Sequence, residues 1–146
     1  DKTNFCLLSL DVDYFKLYND TYGHQEGDIV LQTISKILML NLKRPSDFSF
    51  RMGGEEFSAI FTMSEDKEIY EFSEYIRKSI EDTKIKHKKN SVSQFITVSI
   101  GVVFVDFSKN HEMNILKKDL YKYSDELLYK AKASGRNKVF IEEWIE

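Results

Sequence analysis

The run Phe5-Cys6-Leu7-Leu8-Ser9-Leu10 is almost unbroken in its hydrophobicity and stops at Asp11-Val12-Asp13. Such a run suits a central strand buried on both faces. Alternation then places Asp11 and Asp13 on one face and Val12 on the other. A second pattern alternates around Arg51-Met52-Gly53-Gly54-Glu55-Glu56-Phe57, with Phe48, Phe50 and Met52 before it and Phe57, Ala59 and Phe61 after it. That spacing predicts two strands joined by a tight glycine turn.

Helical spacing fills the intervals. Tyr14 to Tyr22 predicts a short helix broken by Gly23. Gly27-Asp28 opens a longer amphipathic helix with Ile29, Val30, Ile34, Ile37, Leu38 and Leu42 inward, ended by Pro45. Ser64-Glu65-Asp66 starts another, whose Ile69, Phe72, Ile76 and Ile80 form a stripe. Lys84 to Ser93 is basic and polar and reads as a solvated connection. Phe95 to Val105 is a β-branched strand. Leu120, Leu127 and Ala131 mark a last helix, stopped at Ser134-Gly135 and followed by a Val139-Phe140-Ile141 edge strand. The order β-α-α-β-β-α-β-α-β predicts an α+β fold, a mainly antiparallel sheet flanked by helices.

Composition narrows the class. A chain of 146 residues holds one core and is too short for two ordinary domains. A net charge of −3 gives no broad basic footprint for a nucleic-acid polymer. No apolar run reaches membrane-spanning length, and no direct membrane insertion of this segment is expected. The single cysteine, Cys6, lies in the first strand and reads as a small core residue. These features point to a reducing, cytoplasmic setting, equally for a free protein or for the cytoplasmic part of a membrane-anchored one.

The chemistry concentrates at two places. Asp11 and Asp13 would sit at the rim of a sheet, where ligands often bind in α/β folds. Glu55 and Glu56 follow glycines at a hairpin tip, where backbone without side chains can approach a phosphate chain. If the strands are neighbours, Asp11 and Glu55 could share a cation, since Mg²⁺ prefers one or two carboxylates plus waters and phosphates. The plainer alternatives are a Gly-Gly turn with solvated acids, and Asp11 and Asp13 as turn or capping residues.

The motifs together resemble the GGDEF domain of diguanylate cyclases. They are Asp11-Val12-Asp13-Tyr14-Phe15-Lys16, Asn19-Asp20, Gly23-His24, Gly27-Asp28, Arg51 to Phe57, Thr97-Val98-Ser99-Ile100-Gly101 and Tyr129-Lys130-Ala131-Lys132-Ala133-Ser134-Gly135-Arg136-Asn137. They cover nearly the whole chain in the family's order and spacing. The resemblance implies a five-stranded sheet related to the palm of nucleotidyl cyclases and polymerases. It also implies a single domain over 1–146; the family's opening acidic-Leu-Thr-x-Leu-x-Asn-Arg segment is absent, so the chain reads as a fragment of a larger signalling protein.

By that resemblance two GTP molecules become cyclic di-GMP, with two metal ions, Mg²⁺ or Mn²⁺, in each active site. Asp11, Glu55 and Glu56 with the Val12 carbonyl are the implied metal ligands, and Glu55, where the family usually has Asp, is the implied proton acceptor. Gly53 and Gly54 give the nucleotide room. Asn19 and Asp28 match a guanine-reading pair, against turn and helix capping as the alternative. Lys132, Arg136 and Lys16 match triphosphate ligands, against helix-end charges or a solvated lysine. Arg44-Pro45-Ser46-Asp47 matches an inhibitory product site, with Arg77 a further member, against a surface pair between Arg44 and Asp47. A second GGDEF domain, in a transient homodimer, is the implied partner.

Competing motifs fail. An EF-hand register from Asp11 puts Lys16 and Tyr22 where Gly and Glu are required. No P-loop is present, and three histidines and one cysteine at unrelated spacings make no zinc site. Asn19 and Asp28 disfavour an adenylyl cyclase. A non-catalytic GGDEF module that binds GTP or cyclic di-GMP remains the alternative to the enzyme, although such modules usually lose the glycine-acid turn or the first aspartate.

Overall fold

A computed structural model describes residues 3–108 and 117–145. The chain runs β1 (Asn4–Val12), α1 (Phe15–Tyr22), α2 (His24–Asn41), β2 (Phe48–Gly53), β3 (Glu56–Met63), α3 (Asp66–Glu81), β4 (Val98–Asp106), α4 (Lys117–Ala133) and β5 (Val139–Glu143). The five strands form one sheet in the order β2-β3-β1-β4-β5. All neighbours are antiparallel except β4 and β5, which pair in parallel with α4 as the crossover. The expected α+β sheet with flanking helices is therefore what forms.

The run Phe5 to Leu10 lies at the centre because both of its faces are covered. Cys6, Leu8, Leu10 and Val12 join a core built from α1, α2 and α3, including Tyr18, Ile34, Leu38, Ile69 and Ile76. Leu7 faces a smaller core on the opposite side, with Val103, Val105, Leu120 and Leu127. There α4 lies directly on β4 at Gly101, where a Cβ would fall 2.2 Å from the Leu128 backbone nitrogen and 2.4 Å from the Ser124 carbonyl oxygen. Polar residues continue this face toward the site: Ser9 and Ser124 share a 2.7 Å hydrogen bond between hydroxyls.

Three local expectations need correction. The longer helix begins at His24 rather than Gly27, so it follows α1 after Gly23 alone. Its buried stripe is Val30, Leu31, Ile34 and Leu38, and Ile29 is half exposed because it sits one position off that stripe. The segment read as a solvated connection folds back as a small hairpin, with a Lys86–Phe95 bridge, and it buries His87 and Asn90 completely or nearly so.

Candidate active site

Register assembles the acidic centre. Asp11 is paired with Glu56 across the β1–β3 ladder, and Gly53 is paired with Glu56 across the hairpin, where an irregularity between Arg51 and Gly53 bends β2. Directly opposed residues point to the same face, and like charges so placed repel. Both Gly53 (φ +151°) and Gly54 (φ +51°) lie in conformations that side chains disfavour, and a Cβ on either would meet no protein atom. The space beside the turn is thus open to a ligand. Arg51 braces the turn by donating from Nε to the Gly54 carbonyl at 2.7 Å.

Asp11 is buried, and burial pushes its carboxyl up from 3.8 to about 6. The hydrogen bond and charge of Lys132 pull it back, while Glu55 and Glu56 add to the rise. Lys132, in the last turn of α4, donates from Nζ to Asp11 Oδ2. Glu56 accepts a 2.6 Å hydrogen bond from the Tyr121 hydroxyl, and Asp125 is also raised, first by burial and then by Glu56. Glu55 is half-buried at the turn.

Among the described residues no three acidic, histidine or cysteine groups converge as a preformed metal cluster. The donor set still fits a small divalent cation, which takes one or two carboxylates and completes its shell with water and phosphate. Asp11, Glu55 and Glu56 would supply the carboxylates, and Asp11 already holds one cation in the form of the Lys132 ammonium.

Asp13, although one alternation from Asp11, has a different role. Its Oδ1 accepts from the Ser99 hydroxyl at 2.6 Å, and its Oδ2 accepts from the Thr97 hydroxyl at 2.8 Å and the Asn137 amide at 3.0 Å. It ties β1 to β4 and to the turn after α4. Tyr14 follows in a left-handed conformation (φ +54°), and the Arg136 guanidinium lies 4.5 Å over its ring. Arg136 Nη1 also donates to the Lys132 carbonyl at 3.2 Å. Two cations four positions apart are therefore delivered to the end of β1, and one of them is held by an aromatic face.

The refolded 84–95 segment supports this corner. His87 donates from Nε2 to the Tyr14 carbonyl at 3.0 Å, which fixes the tautomer because a carbonyl only accepts. The Ser91 hydroxyl bonds the Tyr14 hydroxyl at 3.1 Å, and Asn90 bonds Thr97 at 3.0 Å, continuing to Asp13. Sequence reasoning missed Tyr14, His87, Asn90, Tyr121 and Asn137. Nothing in polarity or spacing marks a polar residue that points inward.

The other expected residues fall on α1, α2 and their surroundings. Asn19, on α1, packs over Gly27 so closely that a Cβ there would lie 1.9 Å from Asn19 Oδ1. That oxygen is buried and has no hydrogen-bond partner among the described residues. Asp28 is exposed and borders a cleft of about 370 Å³ with Leu31, Gln32, Ser35, Arg51 and Phe57, between α2 and the hairpin. Lys16 is exposed on the first turn of α1.

Arg44 is exposed, and Asp47 turns back to accept its backbone N–H at 3.1 Å through Oδ2, while Asp47 Oδ1 is buried without a partner among the described residues. Arg77 lies elsewhere in the hydrogen-bond network. Its guanidinium bonds Glu74, Glu81 and, at 2.7 Å, Asn137 Oδ1, so it clips α3 to the turn after α4. No helix among the described residues is long and apolar enough to cross a membrane.

Known proteins are similar to this chain in sequence and in fold. The sequence model of the family described as "Diguanylate cyclase, GGDEF domain" matches residues 1–138. The probable diguanylate cyclase DgcT of Escherichia coli is 34% identical over 142 residues, which is 97% of this chain but 30% of that protein. The GGDEF domain of DgcB from Caulobacter crescentus, solved in complex with c-di-GMP, is 32% identical with a TM-score of 0.79 and covers 95% of this chain and 78% of that one. The active GGEEF domain of a Vibrio cholerae diguanylate cyclase is 30% identical with a TM-score of 0.71, over 97% and 85% of the two chains.

Proposed function

The chain belongs to the diguanylate cyclase GGDEF family, and on that premise we propose that it condenses two GTP molecules into cyclic di-GMP, releasing two pyrophosphates. The observation that carries this reading is the register setting Asp11 opposite Glu56 beside the open Gly53–Gly54 turn.

Each 3′-oxygen attacks the α-phosphorus of the other nucleotide as the bond to pyrophosphate breaks. The carboxylates of Asp11, Glu55 and Glu56 and the Val12 carbonyl would hold two divalent ions, Mg²⁺ or Mn²⁺. When bound, such ions ease loss of the hydroxyl proton and stabilise the departing pyrophosphate. Glu55 accepts the 3′-hydroxyl proton. Gly53 and Gly54 admit the ribose and α-phosphate against bare backbone. Asn19 and Asp28 read the guanine edge, and the orphaned Asn19 Oδ1 supports this because guanine offers N–H donors. Lys132, Arg136 and Lys16 bind the triphosphate.

One domain holds one GTP, so turnover takes place across a transient homodimer. Product returns to an inhibitory site at Arg44 and Asp47; Arg77 would have to leave Glu74, Glu81 and Asn137 to join it. Residues 1–146 form one such domain acting inside a longer cytoplasmic or membrane-anchored protein.

The test is incubation with GTP and Mg²⁺ over a range of protein concentrations, with products separated by chromatography. Cyclic di-GMP forming at a rate per domain that climbs with concentration is the expected result. GTP retained without any product at all concentrations would replace the enzyme with a nucleotide-binding module.

A further inference from the structure

The two cations at the end of α4 are held in different ways. Arg136 is fixed over Tyr14 and on the Lys132 carbonyl. Lys132 instead reaches across to Asp11, whose side chain is 11% exposed against 31% for its own. A carboxylate that deep, facing Glu55 and Glu56, is costly to keep ionised without a counter-ion, and Lys132 supplies one. A divalent ion at Asp11 would draw on the same carboxylate. The ammonium and the ion would therefore oppose each other there by like charge.

Resting on the nucleotidyl-transfer reading above, we infer that Lys132 is an exchangeable internal cation, holding the Asp11 carboxylate until a divalent ion displaces it onto the incoming triphosphate. A lysine suits this part because its charge is compact and its four-carbon stem pivots, unlike the stacked Arg136 fork. The displaced ammonium stays tethered close to the phosphates. The metal-free protein consequently has little appetite for metal alone, and nucleotide makes metal entry easier by giving Lys132 a new anion. Such linkage between two ligands is commonly about 5–150-fold.

The experiment uses Mn²⁺ alone as the probe, followed by the electron paramagnetic resonance of the free ion at pH 8. Lys132→Met should bind Mn²⁺ roughly fivefold or more tightly than the parent, at the lower end of that coupling range. The same variant should bind a non-hydrolysable GTP analogue more weakly. Arg136→Met should weaken the analogue and leave Mn²⁺ affinity where it was, since Arg136 does not hold Asp11. Lys132→Gln, which keeps a polar end, is run in parallel, and thermal melts establish that each variant folds. Mn²⁺ affinity unchanged or weaker in both folded Lys132 variants overturns the exchange. Cyclic di-GMP formation by the parent is scored separately: product without the Mn²⁺ effect removes the exchange and keeps the enzyme, and the Mn²⁺ effect without product does the reverse.

Discussion

Gly27 shows why a single missing side chain matters in this site. A Cβ at that position would collide with Asn19 Oδ1 at 1.9 Å and crowd Phe15 Cζ at 3.2 Å. The colliding atom ends a side chain that can swing away, so Gly27→Ala should cost about 1–3 kcal/mol of stability, the usual range for overpacking. GTP affinity should fall by roughly tenfold or more, because a lost hydrogen bond to a buried group costs about 1–3 kcal/mol. Calorimetry with GTP beside a thermal melt separates the two effects, and affinity at the parental level would remove Asn19 from guanine recognition. Arg44→Ala should weaken product inhibition while leaving the initial rate intact. Cyclic di-GMP titrated by calorimetry with unchanged affinity would count against Arg44 in that role. At this scale the sequence was informative where a residue type is chemically unusual, as at Gly53, Gly54 and Asp11. It placed Tyr14 and Asn137 within family motifs without giving them a role, because their roles come from left-handed backbone at 14, 136 and 137 that brings distant segments into contact.

Elements were legible wherever hydrophobic period alone decides them. Both-face burial of the first strand and the Ile69, Ile76 and Ile80 stripe follow directly from spacing. The 84–93 segment defeated that logic because His87 and Asn90 are buried through hydrogen bonds rather than hydrophobicity. The parallel pairing of β5 with β4 depends on how α4 crosses the sheet, which edge-strand composition does not encode. The crossing itself depends on Gly101, where a methyl group would strike the backbone of α4 rather than a movable side chain. Gly101→Ala should therefore cost about 3 kcal/mol or more, the upper end of overpacking penalties. Urea unfolding measures this, and a midpoint equal to the parent's would mean α4 can lift off β4 freely.

For the molecule as a whole, two buried groups make stability depend on pH in opposite senses. Burial lowers His87 from its ordinary 6.5, so the fold keeps it neutral. As pH falls through 6.5 the unfolded chain takes up this proton first, and His87's contribution is lost from there down to its lowered folded value. The slope is at most about 1.4 kcal/mol per pH unit. Asp11 acts the other way: its folded value near 6 lies above 3.8, so the fold gains relative stability as pH falls from about 6 toward 4. His87→Gln retains an N–H donor and does not titrate. Melting of parent and variant between pH 7 and pH 5 should show the parent losing more stability, and parallel curves would mean His87 takes up its proton in the fold as readily as in the unfolded chain.

The contact between Lys132 and Asp11 spans 121 positions, and the one between Asn137 and Asp13 spans 124. During synthesis the acidic corner is made early and its basic complement very late. A ribosome-bound chain that stops short of residue 132 carries the glycine hairpin and its acids but neither Lys132 nor Arg136 nor the Asn137 N–H that Asp13 accepts. The nascent protein should stay unresponsive to nucleotide until those last turns emerge from the exit tunnel.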